Sequence, residues 1–409
     1  MQRTLFCVVL LLLVNIEAAP PASPSFASTG ASAISRFLSD VVARGDVPGI
    51  VAMVVGPDKV LYHEAFGKMN VAQGKPMAKD TIFRIASMTK AVTSVGVMQL
   101  VEQGKLGLDD DVSKYLPRLK APQVLTKVDA STGTYETRPA SRPITIRQLL
   151  THTSGIGYSW SDPGLAVAQK KTGATNDSEL PLVNDPGAQW TYGASTRVLG
   201  EVIEKITGER IDAYLEAHVL GPLKMRDTTY TVPREKYARV VTVNQKANGK
   251  ITETQNSDPI PATIRGDGGL FSTAADYSRF VQMILHTGQL DGVRILEERT
   301  VAEISKNQVG SVKVRQQPTA DPLRSKPYPL GAGEDVWGLG FQLAAPKSPS
   351  RSMRSPGSMS WAGINNTFYW IDPQKQIGAV ILMQMLPFYD DGAIKALQGF
   401  EERVYKNLN

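Results

Sequence analysis

The chain has 409 residues, of which 42% are hydrophobic and 21% are charged, so it can bury a large core. The formal net charge is +6, but the lysines and arginines are dispersed and form no basic block interleaved with aromatic residues. This distribution argues against a nucleic-acid-binding protein. The length fits one large domain or two closely packed ones.

The N-terminus has the pattern of a secretory signal peptide. Arg3 supplies a positive start, residues 5–16 form an apolar core, and small residues follow from Ala18 onward. The apolar stretch is shorter than the roughly 20 residues that a membrane-spanning helix needs. We therefore expect residues 1–27 to be a signal peptide with a short leader. The mature chain would then be exported to the periplasm or the medium, without a membrane span.

The single cysteine, Cys7, lies inside this predicted signal peptide. The mature protein is therefore expected to have no disulfide bond, no thiol nucleophile and no Cys-ligated metal. The four histidines, His63, His152, His218 and His286, are far apart in the sequence and form no His-Glu-x-x-His motif. The sequence thus predicts neither a metal site nor a cofactor.

Taken in chain order, hydrophobic periodicity predicts strands near both ends of the chain and mainly helices between them. Helices are expected over residues 33–44, 87–103, 144–150, 195–207, 211–220, 274–286 and 394–404. Strands are expected over residues 49–55, 59–65, 337–343, 367–371 and 377–385, and around Tyr230 and Val240. The polar segments 121–142 and 310–335 are predicted to be loops.

This order of elements predicts a mixed α/β (α+β) fold. Residues 28–85 and 296–409 are expected to form an α/β domain, with an antiparallel sheet assembled from both ends of the chain. Residues 86–295 are expected to form a mainly helical domain inserted between them. Pockets tend to form where two such regions meet, so we expect the active site at this junction.

A candidate nucleophile lies in the stretch Ser87-Met88-Thr89-Lys90, where a strand-like approach turns into an apolar helix. Ser87 and Lys90 are three residues apart, so they share one face of that helix. The helix N-terminus favours negative charge developing on the Ser87 hydroxyl. A neighbouring lysine amine can accept the hydroxyl proton when burial lowers its pKa from about 10.4 toward neutrality. The pair could therefore act as nucleophile and base.

Further motifs accompany Ser87 in a specific order. They are Leu-Leu-Thr-His-Thr-Ser-Gly at 149–155, Pro-Gly-Ala-Gln-Trp-Thr-Tyr at 186–192, Gly-Gly-Leu-Phe-Ser-Thr at 268–273 and Trp-Ala-Gly at 361–363. Over residues 30–407 the chain resembles the serine β-lactamase and penicillin-binding-protein superfamily, and in particular its class C-like carboxylesterases of family VIII (the EstB type). The joint order and spacing are more specific than any single motif.

The resemblance implies a role for each catalytic residue. Ser87 would be the acylated nucleophile, and Lys90 would hold Ser87 and Tyr192 in one hydrogen-bonded set. Tyr192 would act as general base and acid, because a phenol near an ammonium is expected to have its pKa lowered from about 10. The backbone N–H groups of Ser87 and Ile364 would form the oxyanion hole.

The resemblance also implies the substrate-binding residues. The substrate would lie against Trp361, Ala362 and Gly363, and glycine at the last position is expected to let the backbone approach it closely. Tyr158 is expected to contact the substrate as well. Trp190 either shapes the wall of the site or belongs to the core.

Two departures from the superfamily narrow the expected substrate. Tyr192 is followed by Gly193 and Ala194, whereas β-lactamases and peptidases of the superfamily usually have Tyr-x-Asn there. Trp361 stands where those enzymes usually have the lysine or histidine of Lys-Thr-Gly or His-x-Gly. Both changes remove groups that recognise an anionic, amide-bearing substrate, and both leave the acylation residues in place. The acyl group is therefore expected to be small and uncharged.

The sequence thus favours a carboxylesterase that acts on a small-molecule, short-chain ester, with weak β-lactam hydrolysis left open. Two alternatives remain: a β-lactamase or D-amino-acid peptidase of cell-wall chemistry, and a non-catalytic member that binds a ligand. An α/β-hydrolase is excluded, because the chain contains no Gly-x-Ser-x-Gly pentapeptide. The sequence carries no signal for an oligomeric state.

Overall fold

The computed structural model of this chain describes residues 24–254, 256, 260, 263–346 and 353–409. Residues 1–23, which make up most of the predicted signal peptide, lie outside the described residues, so that prediction stays untested. The helices of the described part are α1 (Ser28–Ala43), α2 (Thr89–Glu102), α3 (Ile146–Leu150), α4 (Pro163–Thr172), α5 (Ser195–Thr207), α6 (Ile211–Leu215), α7 (Ala274–Leu285), α8 (Glu298–Ile304) and α9 (Asp391–Lys406).

The strands are mostly short. They are β1 (Gly49–Val55), β2 (Val60–Asn70), β3 (Lys75–Pro76), β4 (Phe83–Arg84), β5 (Gln123–Asp129), β6 (Thr134–Pro139), β7 (Asn244–Ala247), β8 (Lys250–Glu253), β9 (Phe271–Ser272), β10 (Gln289–Leu290), β11 (Val293–Arg294), β12 (Val336–Trp337), β13 (Gln342–Leu343), β14 (Met359–Gly363), β15 (Thr367–Asp372), β16 (Ile377–Leu382) and β17 (Met385–Leu386). Most of the predicted elements are therefore confirmed to within a few residues. The segment 211–220 is α6 followed by a π-helical turn.

The central sheet has eight strands in the order β12-β13-β14-β15-β16-β1-β2-β3. Every neighbouring pair in it is antiparallel. β1 pairs directly with β16, for example through Val51 and Leu382. The two ends of the sequence thus meet in the middle of one sheet, which confirms the predicted mixed fold.

Helices cover both faces of this sheet. Phe400 of α9 packs against Trp370 of β15 on one face, whereas Val281 of α7 lies against Gly378 of β16 on the other. All residues of β1 and β16 are therefore buried. A sheet with one solvated face would alternate apolar and polar residues, so the continuous hydrophobic runs of these strands follow from their two-sided burial.

Helix α2 is enclosed by other elements. All its residues from Thr89 to Leu100 are buried, and it contacts both α5 and α6. A helix that is buried all round has no polar stripe. Lys90, in its first turn, is therefore placed in the protein interior.

The prediction of a loop over residues 121–142 is wrong. β5 and β6 form a two-stranded antiparallel hairpin there, and Gly133, with a φ of +68°, lies in its turn. Most side chains of the hairpin are exposed. Its strands are therefore polar and lack the apolar alternation that marks a half-buried strand.

The strands predicted around Tyr230 and Val240 are also wrong, because Val240 and Thr229, the neighbour of Tyr230, form only isolated bridges. Val240 directly follows the 3₁₀ helix Arg234–Arg239, which takes up the chain before it. Tyr230 and Val232 are buried against neighbouring segments. Their apolar signal reflects this burial and not a ladder of backbone pairs.

Two predicted C-terminal strands are divided. The segment 337–343 forms β12 and β13 with a turn between them, in which Gly340 has a φ of +95°. The segment 377–385 leaves the central sheet after Leu382, where Gln384 takes a φ of +53°. β17 then pairs with β7 in a separate sheet.

In the described residues, none of the helices has the length and apolar composition needed to cross a bilayer.

Phe400→Ala should lower the free energy of unfolding by about 3–5 kcal/mol, because it leaves a cavity between α9 and the sheet. The Phe400 ring is fully buried and contacts Tyr62 and Trp370. Urea denaturation followed by circular dichroism measures the change. Lys395→Ala, at an exposed position on the same helix, should change stability by less than about 0.5 kcal/mol. Equal effects of the two substitutions would contradict this packing.

Candidate active site

Ser87 lies in a 3₁₀ turn, Ala86–Met88, directly before α2. Ala86 has a φ of +47°, in the left-handed region that residues other than glycine rarely adopt. Such strain persists where the surrounding structure holds it. Here the N–H of Ile85 donates to the carbonyl oxygen of Leu270 at 3.1 Å, and the end of β14 packs on the same turn.

The Lys90 side chain is buried, with 2% of its surface exposed. Its Nζ lies 3.1 Å from Ser87 Oγ, 3.0 Å from the Tyr158 hydroxyl and 2.7 Å from the carbonyl oxygen of Asp267. Burial lowers the pKa of Lys90 to about 7, a change that the charge of Asp267 opposes and that of Arg265 assists. An amine with this pKa can exchange a proton with the Ser87 hydroxyl near neutral pH.

Tyr192 approaches Ser87 from the segment before α5. Its hydroxyl accepts an N–H from Trp361 Nε1 at 3.0 Å and is hydrogen-bonded to Ser87. Burial raises the pKa of Tyr192, and the bonds with Ser87 and Trp361 offset this only in part. The predicted lowering of the Tyr192 pKa is therefore wrong. Lys90 Nζ lies 4.9 Å from the centroid of the Tyr192 ring, over its face, and the ring is removed from water.

An aromatic cluster packs around Tyr192. Its other members are His152, Trp190, Trp337 and Trp361, with ring centroids 4.7 to 6.3 Å from one another or from Tyr192. Trp190 and Trp361 are buried and do not line the cavity in front of Ser87. Burial and the charge of Lys90 hold the pKa of His152 well below its usual value, so His152 is neutral.

A second tyrosine, Tyr158, lies on the other side of Lys90 Nζ. Its hydroxyl donates a hydrogen bond to Asp267 Oδ2 at 2.5 Å. The Asp267 side chain is almost fully buried, and its Oδ1 lies 3.1 Å from Nε of Arg265. Burial, with the carboxylate of Asp267, raises the pKa of Tyr158 well above its usual value. Tyr158 does line the cavity, where substrate contact was predicted.

The sequence prediction missed Asp267 and Arg265. Asp267 belongs to the stretch Gly266-Asp267-Gly268-Gly269, which the sequence indicates only as a glycine turn. A single acidic residue among glycines is a sequence signal that could have marked Asp267 as a candidate site residue. Its partner Lys90, however, is 177 residues away in the sequence.

A cavity of about 330 Å³ opens in front of Ser87, within the range of roughly 300–1,000 Å³ found for small-molecule sites. Its wall includes Trp160, Leu270 and Phe271, together with three arginines, Arg84, Arg265 and Arg324. The guanidinium of Arg84 lies 5.1 Å from the Phe271 ring centroid, and that of Arg324 lies 5.4 Å from that of Trp160. The cavity wall is therefore rich in cationic side chains, although Trp361 replaces the usual lysine or histidine.

Ser87 and Ile364 both line this cavity, as an oxyanion hole formed from their N–H groups requires. Ala362 and Gly363 do not line it and lie in β14. A Cβ at position 363 would lie 2.2 Å from the carbonyl oxygen of Ile85. Glycine is therefore needed where β14 packs on residues 85–88, which carry Ser87 and which we call the nucleophile turn. This reason differs from the predicted approach of the backbone to the substrate. Among the described residues, no group of three or more His, Asp or Glu side chains could hold a metal ion.

The sequence matches the Beta-lactamase family over residues 34–401, so the chain belongs to this family. It is 32% identical to protein Rv1367c of Mycobacterium tuberculosis, over 88% of this chain and 92% of the relative. It is 28% identical to monacolin J acid methylbutanoyltransferase of Aspergillus terreus, over 91% of this chain and 94% of the relative. It is 27% identical to lovastatin esterase of Penicillium rubens, over 85% of this chain and 92% of the relative.

The fold is similar to that of a mutant simvastatin synthase, LovD, from Aspergillus terreus. The TM-score is 0.79 at 26% sequence identity, over 93% of this chain and 98% of the other. The family therefore includes esterases and acyltransferases on a β-lactamase fold, and the predicted fold and enzyme class, a β-lactamase-related serine hydrolase, are confirmed.

Gly363→Ala should lower the melting temperature and cost about 1–3 kcal/mol of stability, because its methyl group meets the carbonyl oxygen of Ile85. Differential scanning calorimetry measures the change. Gly268→Ala is the matched control, since a Cβ there has its nearest neighbour, an Arg265 side-chain nitrogen, at 3.7 Å. An unchanged melting temperature in Gly363→Ala would contradict the close packing of β14 on the nucleophile turn.

Proposed function

We propose that this chain is a serine carboxylesterase of the family VIII type that hydrolyses short-chain carboxylic esters through an acyl-enzyme on Ser87. The observation that carries the proposal is the 3.1 Å contact between Ser87 Oγ and the buried Lys90 Nζ, next to the cavity. A serine nucleophile needs a base within hydrogen-bond reach, and a buried lysine with a lowered pKa supplies one. Lovastatin esterase, a relative over most of both chains, supports ester hydrolysis in this family.

Acylation begins when neutral Lys90 accepts the Ser87 proton and Ser87 Oγ attacks the ester carbonyl carbon. The carbonyl oxygen becomes an oxyanion, which the N–H groups of Ser87 and Ile364 stabilise. One such donor contributes about 3–4 kcal/mol in the transition state. The tetrahedral intermediate then releases the alcohol, which takes up a proton.

Tyr192 acts as the acid in this scheme. Its raised pKa keeps it a phenol, and its hydroxyl already receives an N–H from Trp361, so it donates toward Ser87. The phenol can pass its proton to the leaving alkoxide and recover one from protonated Lys90 by way of the Ser87 oxygen, which is within hydrogen-bond reach of both groups. In the second half of the reaction, water replaces the alcohol and the same groups act in reverse, releasing the carboxylic acid and Ser87.

Two other reactions would also pass through an acyl-enzyme on Ser87. An alcohol in place of water would give acyl transfer, and the A. terreus relative named a methylbutanoyltransferase supports this option. A β-lactam would acylate Ser87 through an ester bond while its ring amide bond opens and the ring nitrogen takes up a proton, and the arginines of the cavity wall could meet its carboxylate. Against β-lactams, Ala194 stands where the superfamily usually has the asparagine of Tyr-x-Asn, so no amide side chain follows Tyr192 there. Export of the mature chain is part of the proposal and is supported by the pattern of residues 1–27.

Ser87→Ala should abolish the cleavage of p-nitrophenyl butyrate, because no other group in the scheme can be acylated. Release of p-nitrophenol measures turnover, and mass spectrometry of the quenched wild-type enzyme should find a butyryl group on Ser87. Ser131→Ala, at an exposed serine in the hairpin turn, should retain wild-type activity. Ester cleavage by Ser87→Ala would overturn the assignment of the nucleophile.

The same proteins should be offered a chromogenic cephalosporin. Fast Ser87-dependent ester cleavage with slow or no cephalosporin turnover supports the esterase. The reverse preference would favour the β-lactamase or peptidase alternative. Binding of either compound without Ser87-dependent turnover would favour the non-catalytic alternative.

The pH dependence of kcat/KM should follow Lys90. A base must be neutral, so the rate should rise with pH and reach half its plateau near the Lys90 pKa of about 7. The test is the rate of p-nitrophenyl butyrate hydrolysis between about pH 5 and pH 9, read at the isosbestic wavelength of the product. This range covers about two pH units on either side of the expected midpoint. Lys79→Gln, which removes a half-exposed lysine paired with Glu64, should leave the profile unchanged. A flat profile across neutral pH would argue against Lys90 as the base.

A further inference from the structure

The hydrogen-bond partners of Lys90 Nζ differ in what they can offer it. The backbone carbonyl oxygen of Asp267 can only accept a hydrogen bond. The Tyr158 hydroxyl has one proton, and it donates that proton to Asp267 Oδ2 at 2.5 Å. Toward Lys90 the Tyr158 oxygen is therefore also an acceptor. Ser87 is the one of these three partners that can donate a proton to Lys90.

This inventory fixes the direction of the Lys90 lone pair. A neutral lysine amine has two N–H donors and one lone pair. If the two donors go to Tyr158 and to the Asp267 carbonyl oxygen, the lone pair faces the Ser87 hydroxyl. A Tyr158 hydroxyl that lacked the carboxylate could instead turn its proton toward Lys90 and occupy the lone pair. The orientation of the base thus depends on the acceptor behind Tyr158.

Asp267 is buried and ion-paired in the position of that acceptor. Its side chain is 3% exposed, and Arg265 Nε lies 3.1 Å from its Oδ1. The backbone carbonyl of the same residue contacts Lys90 Nζ at 2.7 Å. One residue therefore contacts Lys90 directly through its main chain and indirectly, through Tyr158, with its side chain.

We propose that Asp267, ion-paired with Arg265, is a positioning residue that accepts the Tyr158 hydroxyl proton in a hydrogen bond and thereby directs the Lys90 lone pair at Ser87. The proposal rests on the proposed function, in which Lys90 is the base for Ser87. It assigns to Tyr158 a role as hydrogen-bond acceptor for Lys90 in addition to its place in the cavity wall. Asp267 itself does not touch the reacting atoms.

The charges around Lys90 make the proposal testable. The groups that face Nζ are the phenols of Tyr158 and Tyr192, neutral His152, the Ser87 hydroxyl and the Arg265–Asp267 pair. The Asp267 charge raises the pKa of Lys90 and the Arg265 charge lowers it. The acid limb of the profile is the rise of kcat/KM with pH as Lys90 loses its proton. Loss of the Asp267 charge should therefore move this limb in one direction, and loss of the Arg265 charge should move it in the other.

The first variant is Asp267→Asn, which keeps the shape and removes the charge. We expect kcat/KM for p-nitrophenyl butyrate to fall by roughly tenfold or more, because the Tyr158 proton is no longer held by a carboxylate. The acid limb should move to lower pH by about 1 unit, because the neutral form of Lys90 gains from the loss of a nearby negative charge. Arg265→Met should move the limb to higher pH. Asp58→Asn, at an exposed carboxylate paired with His286, should change neither quantity.

A double-mutant cycle tests whether Asp267 acts through Tyr158. Tyr158→Phe removes the hydroxyl, so Asp267→Asn in that background should cost much less in kcat/KM than it costs alone. Three outcomes would each overturn the proposal. The effects of Asp267→Asn and Tyr158→Phe on kcat/KM could be independent, or Asp267→Asn could keep the wild-type pH profile. The pH midpoint of kcat/KM could also shift in the same direction in Asp267→Asn and Arg265→Met. If Asp267→Asn fails to fold, as judged from its melting temperature, the direction of the limb shift in Arg265→Met still decides. Loss of activity in Ser87→Ala together with an unaffected Asp267→Asn would reject this proposal alone, whereas an active Ser87→Ala would reject the proposed function.

Discussion

The active site depends on the burial of the Lys90 amine. Taking an ammonium out of water costs several kcal/mol even after the protein relaxes around it. The enclosed position of Lys90 at the start of α2 imposes that cost, and its pKa falls to about 7 as a result. Hydrogen bonds to Ser87, Tyr158 and the Asp267 carbonyl offset part of it. The same burial that weakens the protonated form makes the neutral amine available as a base.

The nucleophile turn is held between two segments from distant parts of the chain. On one side the end of β14 packs so closely on Ile85 that position 363 must be glycine. On the other side the N–H of Ile85 is bonded to the carbonyl of Leu270, next to the stretch that carries Asp267. Rigid support of this kind explains how Ala86 keeps a positive φ. The fold thereby fixes Ser87 before any substrate binds.

Family membership and substrate choice have separate physical origins in this protein. The proposed acylation set of Ser87, Lys90 and Tyr192 belongs to the nucleophile turn, α2 and the segment before α5. Substrate recognition is left to the wall of the cavity, where two arginines lie beside aromatic side chains. In the proposed function, the fold shared with esterases and acyltransferases defines the acyl-enzyme chemistry, whereas the cavity wall selects the ester and the acceptor.

The sequence by itself determined what depends on short-range pattern. The spacing of Ser87 and Lys90 places both on one helix face, and the continuous apolar runs of β1 and β16 indicate buried strands. Tertiary structure alone decided the rest. The hairpin β5–β6 is exposed and polar, so it has no apolar period. Tyr192 is buried under an aromatic cluster, so its pKa rises although a lysine lies nearby. Asp267 meets Lys90 across 177 residues, and only the folded chain brings a carboxylate and a buried amine within reach of one tyrosine.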